Sequence, residues 1–127
     1  MQLILKDSLP FVAITVEYQG KSVTLPEVLI DTGSARTILA ADVVAQVGIT
    51  PAPDDILYAI RGVGGSEVVF SRVVDAVQVG ERQLQSFEIE VGGMDYGFGI
   101  VGILGMDFLR QAGAVLDLSE LKMDLAR

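Results

Sequence analysis

The hydrophobic and polar positions along the chain predict mainly short β-strands. Apolar residues alternate with other residues at 12–18 and again at 87–91, which is the period of a strand with one buried and one solvated face. The stretch 56–70 predicts two strands around a glycine-rich tip. The strands predicted from these patterns cover 12–18, 23–30, 68–79, 87–91, 115–118 and 121–125.

Two stretches break the strand pattern, and they match each other. ILAADVVAQVGI (38–49) and ILGMDFLRQAGA (103–114) share five of twelve residues and lie 65 residues apart. Each predicts a short helix with an acid in its first turn, Asp42 or Asp107, where a negative charge meets the positive end of the helix dipole. A glycine six residues after each acid supplies a left-handed helix end. The chain is therefore expected to hold two degenerate copies of a strand–turn–helix unit.

The composition indicates a globular protein and limits its partners. The 127 residues fit a single domain, 1–127, and half of them are hydrophobic. The net charge of −8 disfavours nucleic acid or an anionic membrane as the main partner. No apolar run approaches the ~20 residues of a membrane span. The start, MQLILKDSLP, does not resemble a signal peptide, so we expect a cytoplasmic protein or a domain excised from a longer one.

The missing residue types narrow the chemistry further. The chain has no cysteine, which excludes disulfides and thiolate catalysis. It also has no histidine, which excludes the Ser–His and Cys–His nucleophile pairs and most zinc sites. Acid–base work near neutral pH would fall to carboxylates, lysine or tyrosine.

Asp31 is the most unusual acid in this pattern. It ends the apolar run 28–30 and is followed by Thr32, Gly33 and Ser34. Burying a lone charge is costly. Either Asp31 closes a turn through its side chain, or the fold uses it for chemistry.

Three motifs in one order resemble the retropepsin-like aspartic proteases, which include the retroviral proteases and their single-domain cellular relatives. They are Asp-Thr-Gly-Ser at 31–34, IRGVGGS at 60–66, which looks like a flap tip, and GILGMDFL at 102–109, which looks like the family's glycine signature before the C-terminal helix. The resemblance covers about 10–118. It implies a mostly-β acid-protease fold, a closed barrel with a flap hairpin and two short helices.

The resemblance also implies a mechanism. Such proteases are homodimers with the active site on the two-fold axis, so each subunit would supply one Asp31. Two close carboxylates share a proton, and the pair activates a water molecule that attacks the peptide bond. The implied function is an aspartic endopeptidase that acts on peptide or protein substrates without a metal or other cofactor.

The neighbouring residues take roles from the same resemblance. Thr32 would bond across the two-fold axis, Gly33 would donate its N–H to the Asp31 carboxylate, and Ser34 would bond the outer oxygen of that carboxylate. The flap would cover the substrate; its residues are Arg61, Gly62, Val63, Gly64 and Gly65. The apolar terminal segments 3–5 and 121–125 are the predicted intersubunit sheet.

Several positions have simpler interpretations. The GVGG stretch fits any tight β-turn. Asp107 is interpreted as a helix-start residue rather than a second catalytic acid, because its twin Asp42 lies outside any catalytic motif. Asp54 and Asp55 predict a solvated loop, and Tyr58 and Tyr96 are expected to be packing residues. The alternative function is a non-proteolytic dimeric module that kept the fold and binds peptides or assembles a larger complex.

Overall fold

The structure is a computed structural model, and it describes residues 1–62, 65–94 and 99–125. The strands, in chain order, are β1 Ile4–Lys6, β2 Leu9–Tyr18, β3 Lys21–Ile30, β4 Ile38–Ala40, β5 Leu57–Gly62, β6 Gly65–Val79, β7 Arg82–Gly92, β8 Gly102–Leu104, β9 Val115–Asp117 and β10 Lys122–Asp124. The helices are α1, Ala41–Val44, which continues as a 3-10 turn, Ala45–Val47, and α2, Met106–Gln111.

Eight of these strands form one sheet that closes into a ring. Their order is β1-β2-β3-β8-β4-β7-β6-β5. An additional pairing of β2 with β6 closes the six strands from β2 to β6 in this order into a ring. Both helices contribute to the core that the ring encloses, and the ring of the α2 residue Phe108 packs edge-on against Phe87 of β7, with centroids 5.8 Å apart. The predicted mostly-β fold with two short helices is confirmed.

The alternating pattern predicts most of the buried side chains correctly. Val12, Ile14 and Val16 of β2 face the core. In β7 the exposed Glu88 lies on the predicted solvated face, but Glu90 is only 4% exposed. Glu90 is the partner of Ile38 where β4 pairs with β7, a neighbour that the alternation within β7 does not show.

The two matching segments meet at the centre of the sheet. β3 runs parallel to β8, β4 runs parallel to β7, and β4 and β8 pair antiparallel with Ile38 opposite Ile103. These two isoleucines occupy the same place in the repeat. The two copies are therefore interlocked, each lending a strand to the other, as an internal two-fold relation requires.

The helices are shorter than predicted, but they end where predicted. The first residues of each matching segment continue as strand, so the helices begin only at Ala41 and Met106. Gly48 and Gly113 follow the helical residues with φ of 89° and 63°. These left-handed glycines end the helices as predicted.

The two chain ends pair with each other inside one chain. The N–H of Leu3 donates to Leu121 O at 2.7 Å, and the N–H of Met123 donates to Met1 O at 2.9 Å. Residues 1–3 therefore extend the β9–β10 hairpin. Of the segments 3–5 and 121–125 that were predicted to meet between subunits, Leu3 pairs here with the second segment within the chain, and Ile4 and Leu5 pair with β2. In the part of the chain described, no helix is long and apolar enough to cross a membrane.

Candidate active site

Asp31 lies where two parallel strands end together. It follows the last residue of β3, and its N–H donates to the carbonyl oxygen of Leu104, the last residue of β8, at 3.0 Å. Its side chain is half-buried. The paired strand ends therefore present the carboxylate at the edge of the core instead of burying it, which answers why an acid can follow an apolar strand.

Backbone N–H groups of the turn after Asp31 donate hydrogen bonds back to this residue. The N–H of Gly33 donates to Asp31 Oδ1 at 2.9 Å, and the N–H of Ser34 donates to Asp31 O at 3.2 Å. The predicted contact from Gly33 is confirmed. It is also the geometry of a side-chain turn, so the two interpretations of Asp31 are compatible. No other described group donates to the carboxylate, which leaves Oδ2 available to a reactant.

Ser34 makes a different bond from the one predicted. Its hydroxyl donates to the carbonyl oxygen of Arg36 at 2.7 Å, so its single proton does not go to Asp31. This hydrogen bond therefore links two residues of the same turn. Thr32 is exposed at the tip of the same turn.

The turn and α2 form one continuous unit. The N–H of Met106 donates to Ser34 O at 2.8 Å, and the N–H of Asp107 donates to Ala35 O at 3.2 Å. The first N–H groups of a helix have no partner within it, and here the turn supplies their acceptors. Gly105 permits the approach, because a Cβ there would lie only 2.3 Å from Arg36 O.

A buried polar cluster lies under the turn, and the sequence did not predict it. Thr37 is fully buried; its hydroxyl donates to Asp107 Oδ1 at 2.7 Å, and its N–H donates to Asp107 Oδ2 at 3.0 Å. The hydroxyl oxygen also accepts the N–H of Gly105 at 3.1 Å. Asp107 does lie in the first helical turn as predicted. One feature of the sequence could have indicated the contact between these two residues. Thr37 precedes β4 and Asp107 follows β8, and β4 and β8 are the two central strands of the repeat.

One cation lies among three carboxylates beside this cluster. Arg36 forms an ion pair with Glu88, and its Nε lies 3.7 Å from Asp107 Oδ2. The hydrogen bond to Glu88 raises the pKa of the Arg36 guanidinium above its usual value, against a smaller effect of burial, and the charges of Glu88, Glu90 and Asp107 act in the same upward direction. These carboxylates therefore favour the charged form of Arg36.

Comparison with known protein families agrees with this geometry. The model of a family described as aspartyl protease, of the retropepsin-like type, matches residues 14–108, which include the turn and the first half of α2. The chain belongs to this aspartyl protease family. No curated protein matches the chain.

The residues predicted to form a flap lie in the β5–β6 hairpin. Its strands pair antiparallel up to Gly62 and Gly65, with Arg61 opposite Ser66. The predicted pair of strands is therefore present. The predicted tip residues Val63 and Gly64 lie outside the described residues, as do Tyr96 and the side chain of Tyr58.

An ion pair joins the loop that leads into this hairpin to β6. Arg72 Nη2 lies 2.9 Å from Asp55 Oδ2 and donates to Thr50 O at 3.0 Å, while Asp55 Oδ2 also accepts the N–H of Ala52 at 2.6 Å. Asp54 is exposed, as a solvated loop requires. The prediction is wrong for Asp55, whose side chain is only 12% exposed, because Arg72 on β6 reaches it.

Proposed function

We propose that the chain is an aspartic endopeptidase whose residues 1–127 form one retropepsin-like domain, active as a homodimer. The observation that carries the proposal is the Asp31 carboxylate. It lies at the end of two paired strands, one of its oxygens is held by the Gly33 N–H, and the other accepts nothing from the described residues. Membership of the aspartyl protease family supports the same chemistry.

Peptide hydrolysis of this kind needs two carboxylates, and each chain supplies one in this motif. Two copies related by a two-fold axis would bring Asp31 and its counterpart together. Such a pair shares one proton, since two close carboxylates resist carrying two charges. The ionised member takes a proton from water, the protonated member donates to the carbonyl oxygen of the scissile bond, and the water oxygen bonds to the carbonyl carbon. The resulting diol collapses with protonation of the leaving amine.

The terminal sheet supports a dimer, but through a different edge from the one first predicted. Residues 1–3 already cover one side of β10, so β9 is the strand whose outer edge pairs with no described strand. Val115 and Leu118 are 64% and 63% exposed there. An antiparallel pairing of β9 with β9 of a second copy would satisfy two-fold symmetry, use this free edge and bring a second strand beside the exposed Val115 and Leu118.

The remaining site residues take supporting roles in this proposal. Thr32, exposed at the tip of the turn, would reach the partner's turn across the two-fold axis. The hairpin tip would close over the bound peptide and exclude water; its residues are Arg61, Gly62, Val63, Gly64 and Gly65.

A peptide-library digest tests the proposal. Wild type, Asp31→Asn and Asp42→Asn would be incubated with the library from about pH 3 to about pH 8. We expect cleavage by wild type and by Asp42→Asn, whose exposed side chain lies in the first turn of α1. Asp31→Asn should fold and not cleave, because an amide neither activates water nor donates as a carboxylic acid. Undiminished cleavage by Asp31→Asn contradicts the assignment, and peptide binding without cleavage by wild type favours the non-proteolytic module.

A further inference from the structure

The Asp107 carboxylate lies at the point where the turn that carries Asp31 meets α2. Its Oδ1 accepts the Thr37 hydroxyl at 2.7 Å and the Phe108 N–H at 2.7 Å. Its Oδ2 accepts the Thr37 N–H at 3.0 Å and lies 3.7 Å from Nε of Arg36. The side chain is only 16% exposed, so these protein groups replace most of its contact with water.

This site requires a carboxylate, because hydrogen-bond donors reach both oxygens. An amide has one oxygen and one NH₂ group. If its nitrogen replaced Oδ1, it would face the Phe108 N–H; if it replaced Oδ2, it would face the Thr37 N–H and the Arg36 guanidinium. Either orientation leaves a donor against a donor in a partly buried site, which costs about 1–3 kcal/mol.

The equivalent acid of the other helix shows that a place in the first turn does not account for these contacts. Asp42 occupies the same position in the repeat and also lies in a first helical turn. It is exposed, and no described group donates a hydrogen bond to it. Both acids interact in the same way with the dipole of their own helix. Asp107 therefore differs from Asp42 in its contact with the turn.

We propose that Asp107 is a positioning residue that holds the turn, and through it the carboxylate of Asp31, in the catalytic orientation. The path is short. Asp107 binds Thr37 at one end of the turn, Ser34 O accepts the N–H of Met106 in its middle, and the N–H of Gly33 holds Asp31 Oδ1 at its start. The inference rests on the proposed function for its catalytic part, because Asp31 must be the reacting acid.

The activity test compares variants at the two ends of this contact. Asp107→Asn keeps the size of the side chain but sets a donor against a donor. Thr37→Val keeps the size and the backbone N–H and removes the hydrogen bonds of the hydroxyl. Thr37→Ser keeps the hydroxyl, and Asp42→Asn is the matched control. We expect Asp107→Asn and Thr37→Val to lower kcat per titrated active site by about 10-fold to 100-fold, with KM changed less, because a misplaced group slows chemistry more than binding. Thr37→Ser should restore most of kcat.

A second readout does not depend on cleavage. Hydrogen exchange at the Gly33 amide reports whether its bond to Asp31 is held, so it should accelerate in Asp107→Asn and Thr37→Val but not in Asp42→Asn. If wild type cleaves nothing but Gly33 exchange is still faster in Asp107→Asn and Thr37→Val, the positioning of Asp31 is supported and the peptidase assignment is wrong. Cleavage by wild type with unchanged kcat and unchanged Gly33 exchange in both variants overturns the role of Asp107. If Asp107→Asn does not fold, the comparison of Thr37→Val with Thr37→Ser decides, since a purely structural role would leave kcat per titrated site equal in the two.

Discussion

Replacing Gly105 by alanine should disturb both stability and catalysis, because the turn and α2 touch at this residue. A Cβ there would lie 2.3 Å from Arg36 O, 2.5 Å from Arg36 C and 3.0 Å from Ser34 O. The backbone of Gly105, with φ −96° and ψ −177°, is extended and open to alanine, so the cost is steric and not conformational. To restore ordinary contact the turn must retreat by about 1 Å.

The size of the effect follows from these contacts. Overpacking at a rigid backbone costs about 1–3 kcal/mol. The retreat also weakens the bonds from the Met106 N–H to Ser34 O and from the Asp107 N–H to Ala35 O, each worth about 1 kcal/mol. Gly105→Ala should therefore lower the free energy of unfolding by about 2–5 kcal/mol. A shift of about 1 Å near the reacting carboxylate should lower kcat/KM by about 100-fold.

Chemical denaturation and peptide cleavage measure the two effects, and Gly102→Ala is the matched control. Gly102 lies on the same short segment, but a Cβ there would meet side-chain atoms and not backbone, namely Leu39 Cδ2 at 2.9 Å and the two Cγ atoms of Val28 at 3.3 and 3.4 Å. We expect Gly102→Ala to cost about 1 kcal/mol, the low end of the range for overpacking, and to spare cleavage. If Gly105→Ala is as stable and as active as Gly102→Ala, the turn does not rest on α2 as described.

Three further predictions concern the core, the hairpin base and the C-terminal turn. Phe108→Ala removes a fully buried ring and should cost about 3–5 kcal/mol in denaturant unfolding; a loss below about 1 kcal/mol would contradict that packing. Asp55→Asn should accelerate hydrogen exchange in the loop 50–56, while the exposed Asp54→Asn should not; equal exchange would mean that the ion pair with Arg72 does not hold the loop. The hydrogen bond from the Ser119 hydroxyl, with that from the Glu120 N–H, lowers the pKa of Asp117. Stability from this carboxylate is therefore present above the usual pKa of aspartate and lost as pH falls through the lowered one, so the Tm difference between wild type and Asp117→Asn should shrink on acidification, and a constant difference would refute it.

Local sequence patterns predicted the strands and the helix ends because these features depend on residues that are close together in the chain. The alternation in β2 and β7 sets which side chains face the core, and it holds wherever the strand has one covered face. Glu90 departs from it at the point where β4, more than fifty residues earlier in the chain, pairs with β7. The left-handed ends at Gly48 and Gly113 were predictable for the same local reason, since few other residues accept that conformation.

The candidate site was only partly predictable, because its contacts join distant segments. Asp31 and Gly33 are two residues apart, so their hydrogen bond could be expected from the motif. The bond between Thr37 and Asp107 spans seventy residues and depends on how the two copies of the repeat interlock. The Ser34 hydroxyl donates to the carbonyl oxygen of Arg36, and the motif alone does not decide between that acceptor and Asp31.

The terminal pairing shows the same dependence on distance. The apolar segments 3–5 and 121–125 predicted a sheet, but a pattern along one chain does not say whether the partner strand belongs to the same copy. The structure pairs them within the chain, which moves the proposed dimer contact to β9.

Mixed dimers test the central claim, that two Asp31 carboxylates from two copies form one active site. Wild-type and Asp31→Asn chains would be unfolded together, refolded at a fixed total concentration and assayed for peptide cleavage as the wild-type fraction is varied. If both carboxylates are required, activity follows the square of that fraction, and an equal mixture retains about one quarter of the wild-type activity because only that share of the dimers has two wild-type subunits. Activity that falls in direct proportion, to about one half in the equal mixture, would mean that one chain suffices and would contradict the shared site.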